Sequence, residues 1–412
     1  MLLRRLAGHR TVFGPAALCG LLAAAGLALS AKPAAAVTGD VYTVSRVAVD
    51  ATGADEVSAK RAGVAGAKQE AFATLFERLT VARDAERLPL LSPDRLEFLI
   101  RDVSFESEKF GGGRYLAELT IRFQPDAVRA LLRREGVAYA ETEARPLVVV
   151  PVWRAPGGAA VLWSGPNPWL DAWMAAPPPE GLAPLIAPLG DLGDIAAIDA
   201  ETALARDEEA LAALAAQHGA GGAVVAVAEP AADGASLTVA IDVAAPGWSP
   251  VSIVAAFPPE PPASAPDVAA DPAAAGTSAE AGALEEAADP MAGREEDPET
   301  ALYRAAVDGV ADLLEEAWTR DNLLRFDLGA TVLILSAPLT GIDDLVAVRR
   351  GLEASAPVKR VALARTTIRE AAFEVEYVGD IYQFQNALLQ NGLTLALTED
   401  ASGWSLRRAG AQ

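Results

Sequence analysis

The segment from residue 246 to residue 298 constrains the fold of this chain more than any other sequence feature. Ala, Pro, Glu and Asp dominate it, and no aromatic residue occurs between Phe257 and Tyr303. Between Glu260 and Glu299 there are eleven acids and one base, Arg294. Such a segment cannot bury enough apolar surface to offset the entropy lost on ordering it. The sequence therefore predicts a disordered acidic linker, with folded domains before and after it.

The first 36 residues have the features of a secretory signal peptide. Arg4 and Arg5 precede an apolar run from Val12 to about Leu29, and Ala34–Ala36 supply the small residues of a cleavage site. We expect cleavage after Ala36 and a periplasmic location, without stable membrane insertion afterwards. An uncleaved segment that anchors the chain in the inner membrane is the alternative. Cleavage would also remove Cys19, the only cysteine, and with it any thiol chemistry.

The acidic composition limits the classes of partner. The net charge is −22, which argues against nucleic-acid binding and against docking on anionic lipid. Besides His9 in the signal peptide, the chain has one histidine, His218, so histidine-based catalysis and the usual zinc sites are not expected. We place His218 at a helix end, near exposed carbonyl groups. The sequence predicts no metal and no cofactor.

The hydrophobic pattern predicts a multi-domain protein of mixed α+β and α/β class, built from small α/β sandwich units. Residues 37–140 show the order β-α-α-β-β-α, with Gly111–Gly113 as a hairpin turn. Residues 145–245 alternate apolar strands with helices, which is typical of an α/β layer. Residues 299–412 begin with a helix and continue as β-α-β-β-α-β, the order of a ferredoxin-like unit.

Four of the seven tryptophans lie close together in the second domain: Trp153, Trp163, Trp169 and Trp173. Tryptophan stacks on sugar rings and anchors peptides, but in an Ala-rich protein it can equally supply core volume. Trp169 and Trp173 share a helical face if Pro168 occupies the first turn. We expect Trp153, which follows an apolar strand, to be core, and Trp169 to be more accessible.

The candidate binding residues are Trp163, Asn167, Trp169, Trp173, Asp191 and Asp194. The two aspartates occur in the turn Pro188–Asp194, close to Asp199. Neighbouring carboxylates can bind calcium or act as acid and base, although the spacing of a calcium loop is absent. An Asp-rich turn that caps helices is the alternative. We assign no catalytic residue.

The chain resembles a family of exported bacterial proteins, domain-of-unknown-function family 2066 (DUF2066). The matching segments are Tyr42–Val44, Val49–Thr52, Ala67–Leu79, Pro151, Trp163, Asn167–Trp169, Trp173, Pro188–Asp191 and Gly379–Asp380. Their order carries the resemblance, which covers nearly the whole chain after the signal peptide apart from the linker. It implies export from a Gram-negative cell and no established activity, so no site residue is carried over.

The function that we expect is a non-catalytic binding or envelope-assembly module, whose partner is an envelope protein or a glycan. One alternative is a hydrolase of envelope glycans that uses Asp191, Asp194 and Asp199. Such an enzyme needs a cleft in which at least two carboxylates converge. Another alternative is a scaffold that binds peptidoglycan through the last domain.

Overall fold

The computed structural model describes residues 41–258, 297–324, 329–398 and 403–409. These residues form several sheets with helices packed against them, which confirms the predicted multi-domain α+β class. The signal peptide predicted for residues 1–36 lies outside the described residues, as do residues 259–296 of the predicted linker.

The N-terminal part has the β-α-α-β-β-α order that the sequence predicts. Its elements are β1 (Thr43–Thr52), α1 (Glu56–Leu79), a short 3-10 helix (Ala82–Arg87), α2 (Pro93–Leu99), β2 (Ile100–Gly111), β3 (Arg114–Phe123) and α3 (Pro125–Arg134). The strands form an antiparallel sheet in the order β1-β3-β2. Gly112 and Gly113 adopt positive φ angles of 58° and 78°, which the tight β2–β3 turn requires and which glycine adopts without strain.

Helix α1 packs closely on this sheet because small residues line its inner face. Ala59, Gly63 and Ala67 are buried there. A Cβ atom added at Gly63 would lie 2.5 Å from Val49 Cγ1, so only glycine permits this approach. The first turns of α1 therefore lie directly against the sheet.

The middle part is an α/β layer, as predicted. Its elements are β4 (Leu147–Arg154), β5 (Ala160–Val161), α4 (Pro168–Ala175), β6 (Leu185–Ile186), α5 (Leu192–Ala197), α6 (Ala200–Leu204), α7 (Glu208–Gln217), β7 (Gly222–Pro230), β8 (Leu237–Ala244) and β9 (Ser252–Phe257). The sheet order is β5-β4-β7-β8-β9, with β6 also paired to β4. Strands β4 and β7 are parallel and buried on both faces, which explains their continuous apolar sequences.

Strand β9 corrects the predicted start of the linker. Residues 252–257 fall inside the segment predicted to be disordered, yet they pair with β8 along the edge of the middle sheet. Ile253 and Phe257 pack against its core. The prediction averaged composition over 246–298, and this hid a short alternating strand at the start of an acidic segment.

Helix α8 (Pro298–Asp321) lies on the middle sheet, although the sequence grouped residues 299–321 with the last domain. Leu302, Val307 and Leu314 of α8 share one apolar core with the sheet. A Cβ atom at Gly309 would lie 2.2 Å from Phe257 Cε1, so α8 also touches β9 closely. The helix covers a sheet face that would otherwise expose apolar side chains, a long-range requirement that local patterning does not reveal.

The C-terminal part extends the predicted ferredoxin-like pattern. Its elements are β10 (Ala330–Pro338), α9 (Ile342–Ala354), β11 (Val358–Thr366), β12 (Glu370–Val378), α10 (Ile381–Gln390), β13 (Leu393–Leu397) and β14 (Trp404–Arg408). The sheet order is β11-β12-β10-β14-β13. A four-stranded ferredoxin-like unit would place β13 beside β10. Here a fifth strand, β14, lies between them and runs parallel to β10.

The C-terminal end of α8 joins the three parts within one compact unit. Trp318 Nε1 donates a hydrogen bond to the Thr142 carbonyl at 2.6 Å. Leu324 packs in the core of the N-terminal part, and Asn322 Oδ1 accepts a hydrogen bond from Asn386 of α10 at 2.9 Å. None of the helices that the structure describes is long and apolar enough to cross a membrane.

Candidate functional site

The structure separates the six predicted binding residues into one group at α4 and another around α5. Asn167, Trp169 and Trp173 are buried at α4. Trp163, Asp191 and Asp194 lie around α5. The Trp163 indole is next to Gly190 of the preceding loop and shares a cleft with Ile195 of the helix.

Asn167 fixes α4 against the sheet. Its side-chain oxygen accepts a hydrogen bond from Leu170 N at 3.0 Å, the usual role of an asparagine that caps a helix. Its amide nitrogen donates to the carbonyls of Pro151 and Leu162 at 3.1 and 2.8 Å. Because every polar atom of this side chain is used and buried, Asn167 is structural.

Trp169 and Trp173 form part of the core, and the predicted order of exposure is wrong. Trp169 is fully buried and its indole N–H donates to the Ala226 carbonyl at 3.0 Å, whereas Trp153 is only half-buried. The rings of Trp169 and Trp173 pack edge to face, with their centroids 5.5 Å apart. Helix α4 begins at Pro168, and its face with Trp169 and Trp173 is directed into the core. Trp169 is therefore buried although it follows a loop.

Asp194 is completely buried and holds the loop before α5 in shape. Its carboxylate accepts hydrogen bonds from the backbone N–H groups of Gly190 at 2.9 Å and Asp191 at 3.3 Å. It also accepts from Gln217 Nε2 at 3.0 Å and lies 2.7 Å from His218 Nε2. The sequence placed His218 at a helix end, which is confirmed, but it did not foresee this contact across 24 residues.

The other two acids of the hydrolase alternative are helix caps. Asp191 accepts hydrogen bonds from Gly193 N and Asp194 N at the start of α5. Asp199 accepts one from Thr202 N at the start of α6, and hydrogen bonds from Thr202 lower its pKa below the usual range. The Asp-rich segment therefore caps helices, which is one of the two roles that its sequence indicates.

The tightly held loop presents large apolar side chains to solvent. Leu189, Leu192 and Ile195 are 71%, 86% and 50% exposed. The indole of Trp163 packs against Gly190 of the same loop, lines a cleft together with Ile195, and donates to the Ile198 carbonyl at 2.7 Å. We call Trp163, Leu189, Leu192 and Ile195 the α5 patch. The sequence signal for it is the regular spacing of Leu189, Leu192 and Ile195, each three residues after the last, among the acidic residues of the same segment.

A cleft of about 400 Å³ adjoins the α5 patch. Trp163 and Ile195 form its apolar walls, and Ser164, Asp199 and Glu201 supply polar groups. Of the described residues that line it, none is a lysine or an arginine. The patch therefore combines an apolar surface with an acidic rim.

A second cavity, of about 410 Å³, lies between α1 and α8. Its lining includes the carboxylates of Glu77, Glu180, Asp312, Glu315 and Glu316. The Glu315 carboxylate accepts hydrogen bonds from Leu182 N and Ala183 N at 2.6 and 2.8 Å, and Glu180 pairs with two arginines. Burial raises the pKa of Glu315, and burial followed by the charge of Asp308 raises that of Asp312.

Among the described residues, no three histidine, cysteine or acidic side chains are grouped so that they could hold a metal ion. Scanned against models of protein families, the chain matches none, and no curated protein is similar to it. The resemblance to DUF2066 therefore stays a prediction from the sequence.

Proposed function

We propose that this protein is a non-catalytic binding module of the bacterial envelope, which holds a partner protein on the α5 patch. One observation carries the proposal: a loop fixed by the fully buried Asp194 turns Leu189, Leu192 and Ile195 outward beside a tryptophan. Isolated exposed leucines are common on protein surfaces, but a contiguous apolar group with an aromatic residue is typical of a binding site.

The surroundings of the patch favour a partner segment that is both apolar and basic. Asp191 and Glu201 are exposed beside it, and the whole chain carries a net charge of −22. Opposite charges at the rim of an interface speed association and select against wrong partners. Lysine or arginine residues that flank an apolar stretch of the partner would meet these acids.

The rigidity of the loop also supports a binding role. Hydrogen bonds to Asp194 hold the backbone at Gly190 and Asp191, so the patch loses little conformational entropy when a partner binds. The capping box between Asp191 and Asp194 fixes the first turn of α5 in the same way.

Location in the envelope rests on the predicted signal peptide. We expect the mature chain isolated from a periplasmic fraction to begin at Val37, as N-terminal sequencing would show. A full-length chain confined to the cytoplasm would contradict envelope function without affecting the α5 patch itself.

Capture from envelope extracts tests the patch. The wild type, Leu192→Glu and a control, Val254→Glu, are immobilised and exposed to the same extract. Val254 is 73% exposed on β9, so this control adds the same charge on another surface of the middle part. We expect a partner protein to be retained by the wild type and by Val254→Glu but lost from Leu192→Glu.

Two results would contradict the proposal. Equal retention by all three proteins would place binding elsewhere. Retention on purified sacculi that does not depend on Leu192 would favour the peptidoglycan scaffold.

A second candidate function is a hydrolase at the cavity between α1 and α8, a different location from the Asp191, Asp194 and Asp199 named from the sequence. The raised pKa of Asp312 is a property that a general acid needs. Incubation with purified sacculi would test it: a hydrolase releases soluble fragments, and Asp312→Asn stops the release. The absence of soluble fragments with the wild type would remove this alternative.

A further inference from the structure

Lys60, on the first turns of α1, lies inside a group of aromatic rings. Its Nζ is 4.7 Å from the ring centroid of Phe105 and 5.6 Å from those of Phe110 and Tyr115. It also donates a hydrogen bond to Glu108 Oε1 at 2.6 Å. Three ring faces and one carboxylate thus surround a single ammonium group. We call Phe105, Glu108, Phe110 and Tyr115 the aromatic cage.

A β-bulge creates this arrangement. Side chains alternate between the two faces of a strand, so Phe105 would lie on the face opposite to Glu108 and Phe110 in a regular β2. The β2–β3 register shifts between Phe105 and Ser107. The extra residue brings Phe105 to the same face as the other two. Tyr115 is paired with Phe110 across the hairpin and completes the cage.

The cage is electrostatically suited to a cation. The Lys60 hydrogen bond, followed by that from Tyr115, holds the pKa of Glu108 below its usual range, so the carboxylate is charged at neutral pH. The Tyr115 hydroxyl donates to Glu108 Oε1 at 2.7 Å and keeps the carboxylate in place. Phe105 and Phe110 are 43% and 48% exposed, so two walls of the cage face solvent.

We propose that the aromatic cage is a binding site for the ammonium group of a small alkylamine, and that Lys60 occupies it when no amine is present. Aromatic rings combined with a carboxylate form the usual recognition site for organic cations. The position of Lys60 shows that an alkylammonium group fits the cage in size, charge and hydrogen bonding. The Lys60 side chain is 39% exposed, so it can leave the cage for solvent.

Because Lys60 is tethered to α1, it competes with free amines at a high effective concentration. Only those wild-type molecules whose cage is open can bind an amine. The smaller that fraction is, the weaker the apparent affinity of the wild type becomes. Removal of the Lys60 side chain should leave the cage open in every molecule and so raise its affinity for a free amine. The site lies in the N-terminal part of the chain and does not depend on the function proposed for the α5 patch.

The test is a calorimetric titration with n-butylammonium, which has the same alkyl length and charge as a lysine side chain. We expect Lys60→Ala to bind it with an apparent dissociation constant at least tenfold lower than that of the wild type. Lys68→Ala is the matched control, since Lys68 also lies on α1 and pairs with Glu97 outside the cage. It should behave as the wild type, and Glu108→Gln added to Lys60→Ala should weaken binding.

The proposal is overturned if folded Lys60→Ala shows no saturable binding, or if it binds uncharged n-butanol equally well. It is also overturned if Lys68→Ala gains the same affinity. The wild type gives an independent measurement that needs no substitution. Excess n-butylammonium should shift the ring NMR signals of Phe105 and Phe110 and leave those of buried Phe72 unchanged, and no shift at Phe105 or Phe110 would overturn the proposal as well.

Discussion

Helix α4 and the loop that leads into α5 belong to the same domain, and both are rich in large apolar residues, but they bury these residues differently. Trp169 and Trp173 of α4 are in the core, whereas Leu189 of the loop and Leu192 at the start of α5 face solvent. Each segment is held by one buried polar side chain, and the partners of that side chain make the difference. Asn167 donates hydrogen bonds to the carbonyls of Pro151 in β4 and Leu162 after β5. These bonds hold the start of α4 against the sheet.

Asp194 instead bonds to its own loop and to the end of α7. Leu189, Leu192 and Ile195 near it remain on the surface. The comparison shows that the hydrophobicity of these two segments does not decide whether they lie in the core or on the surface. The partners of their buried polar side chains differ in step with their burial.

The largest expected effect comes from truncating a buried indole. Trp169→Ala should lower the free energy of unfolding by about 3–5 kcal/mol, because it removes packing on both the sheet and α8. Leu192→Ala should change it by less than about 0.5 kcal/mol, since its side chain is in solvent. Urea denaturation followed by circular dichroism measures both. A loss of similar size in the two variants would remove the distinction between core and patch.

A smaller effect is expected from the polar side chain that holds the α5 loop. Asp194→Ala leaves buried N–H groups without an acceptor, which costs about 1–3 kcal/mol. Hydrogen exchange at Gly190 and Asp191 should also become faster. The control is Asp199→Ala, which removes an exposed cap and should not affect exchange at Gly190. Unchanged exchange in Asp194→Ala would show that another contact holds the loop.

The contact between α8 and the tryptophan cluster gives a third and smaller effect. The Trp153 indole N–H donates to the Tyr303 hydroxyl at 2.8 Å. Tyr303→Phe keeps the ring and removes the acceptor, so it should cost about 0.5–1.5 kcal/mol. No loss of stability in urea denaturation would mean that this hydrogen bond does not help to hold α8 on the middle sheet.

The smallest effect concerns Asp344, a carboxylate that is only partly buried, in contrast to the fully buried Asp194. Hydrogen bonds from Thr340, and then from Arg408, lower the pKa of Asp344 to about 2. A folded-state pKa below the ordinary value of 3.8 gives stability that is present above pH 3.8 and lost as the pH falls toward 2. The difference in stability between the wild type and Asp344→Asn should therefore shrink over that interval.

A carboxyl NMR titration of Asp344 checks the cause directly. A midpoint near the ordinary value would show that the hydrogen bonds at the start of α9 do not persist in solution.

Local sequence patterns were sufficient to predict the order of elements in the N-terminal and C-terminal parts. Hairpin glycines and alternating strands each act over a few residues, which is why the turn at Gly111–Gly113 was predicted correctly. The position of α8 could not be predicted, because its partner Phe257 comes before a long acidic segment. The place of β14 beside β10 likewise depends on a pairing across about 70 residues.

The site was predicted only in part for the same reason. Residue type pointed to Trp163 and Asp194, and both lie at the α5 patch. Residue type could not separate Trp163 from Trp169, since both indoles donate to backbone carbonyls and only the fold determines which ring has a sheet over it. The contact of His218 with Asp194 could not be predicted from sequence spacing, because it depends on how the end of α7 packs against the loop before α5.

Site-specific photocrosslinking in intact cells tests the central claim, that the α5 patch is the interface, most directly. A benzoylphenylalanine replaces Leu192 in one protein and Val254 in another, since both positions are exposed in the middle part. The account predicts a discrete protein adduct at position 192, none at position 254, and loss of the adduct when Asp194→Ala is added. No adduct at position 192, or the same adduct at both positions, would contradict it.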